Sequence, residues 1–113
     1  MKLVNQTKGI EVSQEMWRAD RLIPRMVGLL AMSSLAPEQA LWIDRCNSIH
    51  TFFMRFPIDV VFVSRDLKVR ATYENVKPWR LIFPVWNARS TIEMPIGTIR
   101  RGQIEVGDQL QCG

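Results

Sequence analysis

One run limits what this chain can become: Ile58 to Val63, IDVVFV, which has no polar side chain after Asp59. A strand with one wet face alternates apolar and polar residues, whereas an unbroken apolar run belongs to a strand covered on both faces. The rest of the chain must supply two layers of cover. Pro57 stands immediately before the run and lacks a backbone donor, so it marks a strand end or corner. Before it, His50 to Phe56 reads as a second extended segment. At alternate positions His50, Phe52, Met54 and Phe56 would share a face, with Thr51, Phe53 and Arg55 opposite. The only histidine of the chain thus lies in an apolar row.

The flanking segments are short and punctuated. Lys2 to Asn5 and Glu11 to Met16 form an expected hairpin around Thr7, Lys8 and Gly9, where glycine can supply a positive φ. Pro24 is tolerated in the first turn of a helix, and Ile23, Met26, Val27, Leu30 and Ala31 recur at helical spacing, which predicts one helix over Ile23 to Met32. Ala40 to Asp44 is a short strand. Val69 to Val76 alternates in the manner of a strand near a sheet edge. Lys77 to Ala88, interrupted by Pro78 and Pro84, is an irregular arm carrying Trp79 and Trp86. Ser90 to Met94 is a strand stopped by Pro95. Thr98 to Arg101 is a single helical turn capped by Thr98 and ended by a left-handed Gly102, and a strand pair around Gly107 and Asp108 closes the chain.

Many short strands and one helix predict a mainly β, compact β-sandwich or partly open barrel. A chain of 113 residues fits one domain, residues 1–113. Its formal charge of +4 comes from arginines dispersed along the chain, where a nucleic-acid footprint would be a clustered stripe, so nucleic acid is an unexpected partner. No uncharged apolar run is long enough to span a bilayer, and no secretory leader is legible, so the expected location is cytoplasmic. Cys46 and Cys112 are too few for a disulfide framework, and Cys46 is expected as a free, buried thiol.

Chemistry is sparse. Cys46 and His50 are four residues apart, roughly 13 Å in extended chain, too far for a thiolate–imidazole pair without a tight turn between them. No phosphate loop, nucleophile elbow or zinc-protease helix is present. No catalytic residue, metal or cofactor is assigned. Asp59 and Glu93 are carboxylates in apolar strands, either paired for acid–base work or held by arginine and backbone N–H groups. Trp79 beside Arg80 offers an aromatic wall and a planar cation. His50, Met54, Asp59, Trp79, Arg80 and Glu93 are therefore the expected ligand-binding residues, with His50 and Asp59 meeting across the Pro57 corner as the polar end of an apolar pocket.

Four blocks in conserved order carry a family resemblance: RMVGLL at Arg25 to Leu30, IHTFFMRFPIDVVFV at Ile49 to Val63, VKPWR at Val76 to Arg80, and STIEMPIGTI at Ser90 to Ile99 with the terminal VGD at Val106 to Asp108. Together they resemble the family called domain of unknown function 192, expected to be of bacterial type. The resemblance implies a compact, mainly β domain and no established reaction, ligand or cofactor. The chain departs from the family pattern where Asp66 is followed by Leu67 instead of glycine. A tight turn there would strain leucine, so a looser connection is expected. Three function classes remain: a binding module for a small molecule at the His50 corner, a partner-interaction domain using Trp79 and Trp86, and an unrecognised hydrolase or lyase.

Overall fold

The computed structural model describes residues 1–20, 35–52 and 54–113. The helix expected over Ile23 to Met32, and with it the Arg25 to Leu30 block, lies outside the described residues. The described elements, in chain order, are β1 (Leu3–Asn5), β2 (Ile10–Ser13), β3 (Glu15–Asp20), β4 (Gln39–Asp44), β5 (Ile49–His50), β6 (Ile58–Val63), β7 (Val69–Val76), β8 (Leu81–Ile82), β9 (Ser90–Pro95), a one-turn helix α1 (Thr98–Arg101) and β10 (Leu110–Cys112).

Every residue of β6 is buried. The strand sits inside a five-stranded sheet of order β3-β4-β9-β6-β7, antiparallel except for the parallel β3–β4 pair. Ile58, Val60 and Phe62 point into one apolar cluster, which Ile49 and Ile82 of the small β5–β8 ribbon also enter. Val61 and Val63 point into another, shared with Leu3, Val12, Leu110 and Ile99, from the β10-β1-β2 sheet and α1. Among the described residues, the two covering layers demanded by IDVVFV include the β5–β8 ribbon on one side and the three-stranded sheet with α1 on the other. The fold is a mainly β, layered sandwich, with β3 and β7 left as the edges of the large sheet.

Several local expectations are corrected. Glu11 to Met16 is not one strand: it divides at Gln14 into β2 and β3, which join different sheets. The last strand does not fold back on the Gly107 turn, because β10 pairs with β1 at the other end of the sequence. Thr98 is not the cap of α1; Gly97 holds that position at φ 89°, and Gly102 is right-handed. Space is tight at Gly102, where a Cβ would lie 3.1 Å from both Val12 Cγ2 and the Thr98 carbonyl.

The β6–β7 connection is tight, not loose. Leu67 takes a left-handed φ of 64°, following a turn in which its N–H reaches the Ser64 carbonyl at 3.0 Å. This is the three-residue hairpin with a left-handed bulge residue. Ser64 Oγ secures it, donating to Asp66 Oδ1 and accepting the Lys68 N–H. Leu67 also packs on the second cluster and accepts the Leu110 N–H at 2.9 Å, contacts that offset the steric cost of about 1–2 kcal/mol.

Candidate functional site

Strand pairing in β5 ends at His50, and the chain then turns, with the Met54 N–H donating to the Thr51 carbonyl at 3.2 Å. That turn breaks the alternation expected over His50 to Phe56. Met54 and Phe56 go into the first cluster, while His50 pairs in register with Leu81 on the ribbon face away from Ile49 and Ile82. Phe52 stacks on the His50 ring at 4.9 Å and on the Trp79 ring at 5.8 Å, both at 28°. The expected row is thus split into an inner half and an outer half, and the outer half continues through Trp79.

Trp79 is a backbone outlier. Its φ of 66° is left-handed, and Pro78 followed by a left-handed residue is the order of a type II turn, where glycine normally occupies the second position. A bulky side chain there persists only when its surroundings over-determine it. Thr51 does so. Its hydroxyl donates to the Lys77 carbonyl at 2.7 Å and accepts the Arg80 N–H at 2.9 Å. Its backbone accepts from Trp79 N–H at 3.0 Å and donates to the Arg80 carbonyl at 2.9 Å. Thr51 is fully buried, so this clamp works out of water.

The clamped arm then runs along the 46–51 segment, with Val85 N–H on the Asn47 carbonyl and Cys46 N–H on the Arg89 carbonyl. Ile82 is buried. Its neighbours are not: Trp79 is 57% exposed, Leu81 54%, Phe83 75% and Trp86 89%. Leu81 and Phe83 were not singled out by the sequence reading, although their spacing around Ile82 in a segment without acidic residues is the available signal. Arg80 is exposed and shows no ion pair among the described residues. At the far end of the arm, Arg89 lies 3.7 Å from Asp44. Burial would raise the Asp44 carboxyl, but bonds from Ser90, Arg18 and the Arg45 N–H outweigh it and hold it below the usual range.

The two embedded carboxylates lie elsewhere. Asp59 is 1% exposed; its Oδ1 accepts the Asn75 N–H at 2.9 Å and its Oδ2 the Ile99 N–H at 3.0 Å. It therefore ties the end of β7 and the start of α1 to β6, and the expected meeting with His50 is not formed. Strand alternation explains this: Asp59 shares the face of Val61 and Val63, toward the three-stranded sheet, whereas the β5–β8 ribbon covers the face of Ile58 and Val60. Glu93, also 1% exposed, stands in register with Leu41 and Val60, and so faces the ribbon side from the middle of the central strand. Of the six expected residues, the structure links His50 and Trp79 through the Phe52 ring, and Arg80, next to Trp79 in the chain, is exposed. Met54, Asp59 and Glu93 are interior.

Cys46 and Cys112 are both free thiols, and Cys46 Sγ donates to the Ser48 carbonyl at 3.0 Å. Among the described residues no cluster of three or more metal-ligating side chains occurs, and no helix is long and apolar enough to cross a membrane.

Comparison with known proteins bears on the family and the fold. The UPF0127 protein of Pyrococcus furiosus is 36% identical over 115 residues, covering 96% of each chain. That of Pyrococcus horikoshii is 34% identical over 116 residues, again covering 96% of each. These relatives are archaeal, which corrects the expectation of a bacterial-type family. Among solved structures, a candidate transcription regulator of Sinorhizobium meliloti superposes with a TM-score of 0.80 at 21% identity, over 97% of this chain and 89% of that one. A protein of unknown function from Novosphingobium aromaticivorans gives 0.79 at 17%, over 98% and 82%. At such identities the likeness is one of fold. The family model described as an uncharacterized ACR, domain of unknown function 192, matches residues 3–112, and the chain belongs to that family.

Proposed function

We propose that this domain is a partner-binding module whose contact surface is the arm from Lys77 to Ala88 together with the outer face of β5. One observation carries the reading: Trp79, Leu81, Phe83 and Trp86 are all more than half exposed within eight residues. Together they present on the order of 500 Å² of largely apolar surface, the size of the largest patch on an ordinary monomer and one that often marks an interaction site. Left in water, that surface forgoes on the order of 10 kcal/mol of burial. Trp and Phe are the side chains enriched in contact surfaces. Trp79 is moreover fixed in advance by the Thr51 clamp, so less freedom is lost when a partner binds.

A small-molecule pocket at the Pro57 corner has less support, because Asp59 serves the opposite face of the sheet. His50, Trp79 and Arg80 belong to the proposed contact surface instead. The test is capture of proteins on the immobilised parent and on a Phe83→Ser/Trp86→Ser double variant of matched circular dichroism. At least one protein held by the parent is expected to drop roughly tenfold on the variant, the loss typical of removing central contact residues. Identical capture on both would show that the arm is not the contact surface.

A further inference from the structure

Charge around the arm narrows the partner. From Asn75 to Ile92 there is no acidic residue, while Lys77, Arg80 and Arg89 all fall in that span. Arg89 is engaged with Asp44, and elsewhere Lys8, Arg18 and Arg100 each have a carboxylate within 4.0 Å. Lys77 and Arg80 are exposed and carry no ion pair among the described residues. Arg55, just after the turn that Thr51 ties to the arm, is in the same condition. The aromatic row is thus accompanied in the chain by cations that no carboxylate among the described residues neutralises.

Resting on the reading of the arm as a contact surface, we propose that its partner is an extended protein segment that combines apolar side chains with Asp or Glu. Apolar groups of such a segment would cover Phe83 and Trp86, and its carboxylates would meet Arg55, Lys77 and Arg80, complementing the unpaired positive charge. An extended peptide also suits the local geometry. Its side chains on one face repeat at about 6.6 Å, and Leu81 and Phe83 stand two residues apart on the arm. β8 has a single pairing partner, β5, so its other edge is open to strand addition among the described residues. A nucleic-acid strand fits less well, because Leu81 and Pro84 interrupt the aromatic row and Arg55, Lys77 and Arg80 fall short of a basic stripe.

The experiment is selection of a random 12-residue peptide library on the immobilised full chain, followed by fluorescence titration of the selected peptides against variants. Phe83→Ser/Trp86→Ser replaces two largely exposed side chains, and Lys77→Glu/Arg80→Glu replaces two exposed ones, so each variant keeps the fold. The selected peptides are expected to be rich in both apolar residues and Asp or Glu. Their affinity should fall at least about tenfold in the first variant and about fivefold in the second, with the parent's binding weakening as salt rises. Peptides that need Phe83 and Trp86 but lack acidic residues and ignore the charge reversal would overturn this inference while leaving the arm as a contact surface. Peptides indifferent to both variants would overturn that reading as well. A 20-nucleotide single-stranded DNA probe that displaces the peptides and binds more tightly than they do would assign the surface to nucleic acid and overturn the proposal.

Discussion

Replacing Thr51 by valine keeps the shape of the side chain and removes its hydroxyl. The structure sets the magnitude. Two hydrogen bonds disappear, one to the Lys77 carbonyl and one from the Arg80 N–H, worth about 1 kcal/mol each. The backbone bonds of Thr51 to Trp79 and Arg80 survive. A loss of about 2 kcal/mol is therefore expected, close to the cost of about 1–2 kcal/mol of holding a bulky residue left-handed. The clamp and the strain are nearly balanced, so the variant should also release Trp79 from its conformation. Thr51→Ser retains both bonds and forgoes one buried methyl, about 0.8 kcal/mol. Urea unfolding followed by circular dichroism, with unchanged slope, measures the stabilities. Thermal unfolding should fall by about 8 °C for valine. Tryptophan emission of the folded variant should change with the freed indole. The reasoning fails if Thr51→Val lies within about 0.5 kcal/mol of the parent, or if serine costs as much as valine.

Asp59→Asn converts one of two acceptors into a donor facing a backbone N–H, either that of Asn75 or that of Ile99, and should cost about 3 kcal/mol in the same unfolding assay. Asp108 gives a pH signature. Burial would raise its carboxyl, but bonds from Asn5 Nδ2, Lys8 Nζ and the Glu105 N–H to its Oδ2 outweigh this and hold it below the usual range. A folded value below the unfolded one stabilises above about pH 4, and this stabilisation is lost as pH falls through the folded value. Asp108→Asn should therefore lower stability at pH 7 and flatten its decline below about pH 4, and an unchanged decline would remove Asp108 from that role.

What was legible in the sequence was whatever depends on local pattern. The apolar run of β6 required two covering layers and has them. The β1–β2 hairpin, the one-turn helix and the exposed arm with its tryptophans also follow from residues near in sequence. The failures share a cause. Alternation along His50 to Phe56 assumes continuous strand, and a single turn at Thr51 sends Met54 and His50 to different sides. Whether Asp59 meets His50 depends on which layer covers which face, a property of the whole topology. The left-handed conformations of Leu67 and Trp79 oppose the preferences of those residues and are imposed by Ser64 and Thr51. No local rule assigns such positions to leucine or tryptophan.

The pairing of β1 between β2 and β10 has a consequence for how the molecule is made. Lys2 and Gly113 exchange backbone bonds at 2.8 and 3.0 Å, and Asn5 and Lys8 reach Asp108 across about the full length of the sequence. A ribosome delivers β1 well before β10, at a pace of roughly 5–20 residues per second. For several seconds the β1–β2 hairpin waits with one strand edge bare, and a bare edge is a template for the wrong neighbour. Lys2 and Glu11, charged residues in and beside that hairpin, keep it wettable during the wait. The emergence of β10 then covers that edge and closes the three-stranded sheet.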